Sequence, residues 1–293
     1  MKDDNATGCS YRPFTPGDVA AAHALSVAVH WPHRPEDWHF ALEVGNGFVA
    51  VSDGAIVGTA LCWKYGTGHA SLGLVIVSPN HQGRGVGRTL MKRLLDEVGA
   101  RVTFLHATPE GQPLYEKLGF SVCGQLDQHQ GNVANILPVA LPDDVCVRAA
   151  TLEDEATVMR LASRASRCDR QPVMRALLQI SDCAVLAQAG KIVGFSMFRR
   201  FGRGYMVGPI VAPRSTKDVL AKLLIAHWLN GRTDEYIRLD VPKGAVLNDW
   251  LIEQGLKRVD TVNKMVVNAP AEAYPDAADP DCQLYGLVTQ AMF

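Results

Sequence analysis

The run Gln82-Gly83-Arg84-Gly85-Val86-Gly87-Arg88 has the residue types that can hold a phosphate. An apolar stretch, Leu72 to Val77, and then Ser78-Pro79 come just before it. After it, Leu90, Met91, Leu94, Leu95 and Val98 recur on one helical face, with Arg88, Lys92, Arg93 and Glu97 opposite. The pattern predicts a strand, a glycine-rich turn and a helix. A helix start carries unpaired backbone N–H groups and the positive end of the dipole. Glycines have no Cβ, so a phosphate can approach the backbone closely. Arg84 and Arg88 add positive charge, and the expected chemistry is that of a pyrophosphate cradle. No Lys-Ser or Lys-Thr follows the glycines, against an ATP or GTP loop. The order G-x-G-x-G lies well inside the chain, and no acid at Arg101 to Leu105 matches a dinucleotide fold. A tight strand–helix turn that binds nothing is the plain structural alternative.

A second motif follows, Leu114-Tyr115-Glu116-Lys117-Leu118-Gly119-Phe120, after an expected strand from Val102 to Ala107. Gly119 suits the residue just past a short helix, with Phe120 opening the next strand. Tyr115, one turn earlier, is placed either to pack the helix on a sheet or to present its hydroxyl to a cleft. Together the two motifs resemble those of the GNAT superfamily of N-acetyltransferases. Gln82, Gly85 and Gly87 occupy the places of its acyl-CoA loop, Q/R-x-x-G-x-G/A, and Leu114 to Phe120 match its L-Y-x-x-x-G-F segment. The resemblance is strong over residues 72 to 120 and weak beyond 145.

The resemblance implies acetyl-CoA as co-substrate, with no metal. Its loop contacts would be Gln82, Gly83, Arg84, Gly85, Val86, Gly87 and Arg88. The pantetheine arm would lie between two splayed strands and pair with the backbone of Val75, Ile76 and Val77. Thr108 stands where the family often has Asn, and would substitute for it. Tyr115 would protonate the departing thiolate. The family often places a Glu on the strand that here carries Ser71, Leu72 and Gly73, so the base is missing there. His106 is the local candidate, with a suitable unperturbed pKa, against a purely structural role; Glu110 and His33 are weaker.

The segment His30-Trp31-Pro32-His33-Arg34-Pro35-Glu36-Asp37-Trp38-His39 is dense in aromatic and imidazole groups, which describes the wall of a small-molecule pocket. The family builds its acceptor site in this region. Trp31, His33 and Trp38 are therefore candidate acceptor contacts, against a rigid loop with Trp38 in the core.

These residues need two sizeable cores to position them. The 293 residues suit two domains, and 47% hydrophobic with 20% charged is ordinary globular composition. A formal charge of −1 gives no strong pull toward nucleic acid or anionic membrane. No apolar run is long enough for a membrane helix. The opening Met1 to Asn5 is polar and lacks a signal-peptide core. Seven cysteines without a C-x-x-C pair suit a reducing cytoplasm, and the histidines show no zinc-ligand spacing. Oligomeric state is not indicated.

The chain repeats at about 135 residues. Arg12 and Thr15-x-x-Asp18 recur as Arg148 and Thr151-x-x-Asp154. Gly54-x-Ile56-Val57-Gly58 recurs as Gly190-x-Ile192-Val193-Gly194. Ile76-Val77-x-Pro79 recurs as Ile210-Val211-x-Pro213, and Leu118-Gly119-Phe120 is echoed by Gln254-Gly255-Leu256. The expectation is α+β: two tandem GNAT-like domains, 1–141 and 145–293, each a twisted mixed sheet flanked by helices. Thr216, Lys217, Val219 and Ala221 stand near the loop positions of the second copy, and Leu251 near that of Tyr115. The second copy should therefore lack a CoA loop. Its Arg199, Asp240 and Trp250 are candidates for a shared acceptor cleft, against surface charges and a buried indole. The functional expectation is N-acyl transfer to a small-molecule amine, with a non-catalytic acyl-CoA sensor or a protein N-acetyltransferase as alternatives.

Overall fold

The computed structural model describes residues 8–134, 136, 138–273 and 279–292. The polar opening, Met1 to Asn5, lies outside the described residues. The first copy runs β1 (Ser10–Pro13), α1 (Val19–Ala28), α2 (Pro35–Glu43), β2 (Asn46–Ser52), β3 (Ala55–Tyr65), β4 (His69–Val77), α3 (Val86–Val98), β5 (Val102–Ala107), α4 (Gln112–Glu116) and β6 (Ser121–Asn132). The second repeats that order with β7 (Val145–Ala149), α5 (Glu155–Ser166), α6 (Gln171–Ile180), β8 (Asp182–Gln188), β9 (Lys191–Phe201), β10 (Gly204–Ala212), α7 (Val219–Leu229), β11 (Tyr236–Pro242), α8 (Ala245–Glu253) and β12 (Lys257–Val267). A further strand, β13 (Gln283–Gly286), has no counterpart in the first copy.

The recurring motifs have recurring physical jobs. In each copy an arginine is paired in bidentate fashion with an aspartate, Arg12 with Asp18 and Arg148 with Asp154. The same carboxylate accepts the backbone N–H of Thr15 or Thr151, which caps the entry to the first helix. The Asp53-Gly54 turn between β2 and β3 has both φ angles positive, and Ala189-Gly190 does the same between β8 and β9. That geometry matches the twist of paired antiparallel strands.

All strands join one mixed sheet, ordered β1-β2-β3-β4-β5-β12-β6-β11-β10-β9-β8-β7, with β13 beside β10. The two copies have exchanged their last strands. β12, from the second, lies between β5 and β6, pairing Met265 with Leu105 and Val262 with Leu126. β6, from the first, runs against β11 from Leu126 to Asn132. The boundary expected between 1–141 and 145–293 thus separates two copies along the chain, while the sheet is continuous across them. Residues of α1, α2, α5 and α6 share one core that spans both copies. A second core holds the apolar faces of α3 and α4, and a third those of α7 and α8. Among the described residues, no helix is long and apolar enough to cross a membrane.

Candidate active site

β4 and β5 start as parallel neighbours and then part. Their pairing covers only His69, Ala70 and Ser71 against Val102, Thr103 and Phe104. On the other side of β4 a bulge occurs: the register against β3 slips between Thr59–Ile76 and Leu61–Gly73. Leu74 takes φ +50° there, and its carbonyl accepts the hydroxyl of Thr59 at 2.8 Å. A bulge bends its strand and sharpens the local twist, which carries the end of β4 away from β5. The result is a cleft of about 800 Å³ along Val75, Ile76 and Val77, reaching the glycine loop.

The loop has the geometry a phosphate cradle requires. Gly85 is the residue before α3 and has φ +87°, a conformation a side chain would strain. The Gln82 side chain donates to the carbonyl of Val77 at 3.0 Å and ties the turn to the end of β4. Gln82, Gly83, Gly85, Val86, Gly87 and Arg88 line the cleft. Arg84 is exposed and is not part of that lining, contrary to expectation; a residue at the turn's outer tip faces solvent.

Tyr115 lies on α4 at the far wall of the same cleft. The helix ends as expected: Phe120 N–H donates to Tyr115 O and Gly119 N–H to Glu116 O, with Gly119 at φ +90°. The Tyr115 ring packs edge-on to Phe120, 6.2 Å between centroids. Burial raises its phenol to about 12, so it keeps its proton throughout the working range.

A second cavity, about 240 Å³, opens on the other side of the splay. The two cavities share Trp31, Leu72, Gly73, Leu74, His106 and Thr108. The 30–39 segment forms one wall, through His30, Trp31, Pro32 and His33. It rests on the β9–β10 hairpin of the second copy. Gly202 N–H donates to Asp37 Oδ2 at 2.9 Å, Arg34 Nη2 to Arg200 O at 3.2 Å, and His33 meets Phe201 edge-on at 5.6 Å. The loop and the second copy do face one cleft.

The C-terminal segment closes that cleft. Thr289, Gln290 and Ala291 line it. Gly73 lets the tail pass: a Cβ there would stand 2.6 Å from that of Ala291. The carbonyl of Met292 accepts the Tyr65 hydroxyl at 2.6 Å and Arg170 Nη1 at 2.8 Å. The Gln290 carbonyl accepts from His106 Nδ1 at 2.7 Å. His106 does not keep an ordinary imidazole pKa. Burial lowers it to about 4, with the Gln290 bond opposing and Lys264 adding to the fall, so the ring is neutral near pH 7. His33 is lowered to about 4, first by burial and then by Arg238. Glu110 lines the larger cleft rather than the smaller one.

Four expected acceptor contacts are structural. Trp38 is wholly buried, stacks on Phe14 at 5.9 Å and donates its indole N–H to Ser26 Oγ, fastening α2 to α1. Trp250 is in the α7–α8 core, with Lys222 Nζ 5.8 Å from its ring centroid. Arg199 is buried behind the cavity, stacked on Phe201 at 4.8 Å and donating to Val288 O. Asp240 is wholly buried and holds Arg238 through two 2.9 Å bonds. In their place the second copy contributes Phe201, Arg203, Arg238 and Asp260. The alternation of β11 puts Arg238 and Asp240 on one face, yet nothing local says that this face reaches the first copy's cleft.

Among the described residues, the corresponding gap of the second copy is occupied by a strand. β10 and β11 pair only at Tyr205–Ile237 and Met206–Arg238, and the gap beyond is filled by β13, which runs against β10. Leu287 N–H then donates to Asp240 O across that gap. Leu251, at the place of Tyr115, is wholly buried.

Residues 17–120 match the model of the acetyltransferase (GNAT) family, and residues 158–279 that of an acetyltransferase (GNAT) domain. One match falls on each copy of the repeat. The chain is similar to YitH, an uncharacterized N-acetyltransferase of Bacillus subtilis (strain 168), with 28% identity over 227 residues, 76% of each chain. A putative acetyltransferase from Pyrococcus horikoshii shares the fold with a TM-score of 0.75 at 23% identity, over 98% of this chain and 96% of that one. A tandem GNAT protein from the clavulanic acid biosynthesis pathway does so with a TM-score of 0.63 at 14% identity, over 89% of this chain and 99% of that one.

Proposed function

The chain belongs to the GNAT superfamily of acyltransferases as a tandem two-domain member, and from that premise we propose that its first domain transfers an acetyl group from acetyl-CoA directly to the amine of a small-molecule acceptor. The observation that carries this reading is the meeting of two cavities at His106 and Thr108, with Tyr115 on the wall of one of them. The larger suits the CoA arm and the smaller the acceptor. Because the second domain and the C-terminal segment wall in the smaller cavity, a small molecule fits it better than a protein tail.

Acetyl-CoA, when bound, supplies a thioester carbonyl and a thiolate leaving group. The glycine loop and the start of α3 fit its pyrophosphate, since the first N–H groups of a helix have no partner within the helix and Gly83 and Gly85 take positive φ without a Cβ. The edge of β4 from Val75 to Val77, left without a β5 partner, aligns the arm. A backbone N–H of that edge donates to the carbonyl oxygen as charge builds on it. His106 is held with its proton on Nδ1, because a carbonyl can only accept. Its Nε2 then carries the lone pair and is the atom that takes a proton from the attacking amine, directly or through one water. Tyr115, protonated at working pH, donates to the leaving sulfur.

The test is release of free CoA from acetyl-CoA across a panel of small primary amines and short peptides. Turnover with at least one small amine, with peptides poorer, is the expected result. Tight CoA binding without turnover of any acceptor would instead support an acyl-CoA sensor.

A further inference from the structure

The smaller cavity is polarised along its length. At one end His106 marks the place of acyl transfer, on β5. At the other end lie Arg238 on β11 and Arg203 at the β9–β10 turn. The sheet order β5-β12-β6-β11 places the two ends three strands apart, and the register offsets them along the strands as well: His106 stands opposite Lys264, itself opposite Gly124, while Arg238 stands opposite Gln130. Asp260 lies between them, on β12 and opposite Gln128 of β6.

Arg238 is only 9% exposed and is fixed by Asp240, which is 0% exposed. Its Nε and Nη2 are both taken by that carboxylate, and among the described residues Nη1 makes no hydrogen bond. The two residues are two apart on one strand, so their ion pair ties no element to another. Burying such a pair is a poor source of stability compared with apolar packing. What it does is fix the orientation of a guanidinium at the wall of a cavity. Arg199 stands just behind, buried, with its Nε making no hydrogen bond among the described residues. The guanidiniums at and behind this end, of Arg34, Arg199, Arg203 and Arg238, stand with three carboxylates, of Asp37, Asp240 and Asp260. One positive charge is in excess.

We propose that the acceptor is a zwitterion: an amine carrying a carboxylate at the end remote from the reacting nitrogen. The carboxylate is received by Arg238 and Arg203, and Asp260 draws the ammonium group inward before it loses its proton beside His106. The excess of a single positive charge suits a monoanion. A planar guanidinium with one open edge suits the geometry of a carboxylate. The proposal rests on the reading of this cavity as the acceptor site.

Matched amines with and without the carboxylate test it: 6-aminohexanoate against hexylamine, and lysine against cadaverine. Turnover is followed by CoA release with the full chain. The carboxylated member of each pair should have a kcat/KM about 10-fold or more above its partner, as expected for a charge-assisted contact. Arg203→Ala and Arg238→Gln should each shrink that ratio toward one, chiefly through the KM of the carboxylated member. Arg203 is exposed, so its variant keeps the test open where Arg238→Gln does not fold. Equal kcat/KM within the pairs, or a ratio that survives both variants, overturns the proposal while acyl transfer to amines stands. An aminoalkylphosphonate preferred over the carboxylate overturns it too. No CoA release with any amine removes the acyl-transfer reading itself, and the proposal with it.

Discussion

His106, on β5, donates its Nδ1 proton to the carbonyl oxygen of Gln290, 2.7 Å away and 184 positions later in the chain. One hydrogen bond thus joins the expected base in the first domain to the end of the second. The bond fixes the tautomer of a neutral imidazole, with Nε2 unprotonated. It also ties the C-terminal segment into the wall of the smaller cavity.

A chain ending at Val288 is expected to bind CoA with nearly unchanged affinity, because residues 72 to 117 supply most of that cleft. Its acceptor turnover should fall 10-fold or more, since His106 loses its orienting partner. Tyr65 and Arg170 lose the carbonyl of Met292, and a buried hydrogen bond contributes about 0.5–1.5 kcal/mol. The melting temperature should fall accordingly. Calorimetry with CoA and a thermal melt check both halves; equal loss of CoA binding and turnover would argue for a general unfolding effect.

Gly85→Glu should abolish CoA binding, by strain at φ +87° and by a negative charge set against the phosphates. Wild type should bind one CoA per chain, because β13 fills the gap between β10 and β11. Calorimetric stoichiometry decides this, and two equivalent sites would contradict it.

Tyr115→Phe keeps the ring packed against Phe120 and removes only the hydroxyl. We expect kcat to fall on the order of 10²-fold, with CoA affinity little changed. If kcat is unaltered, Tyr115 is a packing residue.

His106 and His33 both have folded pKa values of about 4, below the usual 6.5, because burial disfavours the imidazolium. The unfolded chain therefore binds protons between these values that the folded chain does not. Stability from these groups is fully present above about pH 6.5 and is lost as pH falls toward 4. Denaturant midpoints measured across that window should drop, and His106→Gln should flatten the curve. The rate should show no limb near 6.5 from His106; such a limb would mean that the ring titrates normally.

Trp31 lines both cavities where they meet. Trp31→Ala is expected to raise the acceptor KM more than it changes CoA affinity, the mark of lost acceptor binding. An unchanged KM in steady-state assays would take Trp31 out of the acceptor site.

The sequence by itself determined what depends on local geometry. A strand, a glycine turn and a helix in succession specify the loop at Gln82 to Arg88, because the backbone there must take positive φ at Gly83 and Gly85. Gly119 announced the end of α4 and so the position of Tyr115. The ordered repeats revealed two copies, since each motif keeps its own local hydrogen bonds, as Arg12–Asp18 and Arg148–Asp154 do. For Trp38 and Trp250 the sequence leaves a pocket wall and a core position both open, because residue type does not say which side of a helix meets a core. Only the tertiary structure decided that β6 and β12 change places, that β13 fills the second domain's gap, and that Arg238 and Gln290 reach a site built on residues of the first domain. Strand pairing between segments more than a hundred residues apart is set by which edges are open after the rest has folded, and no window of sequence contains that information.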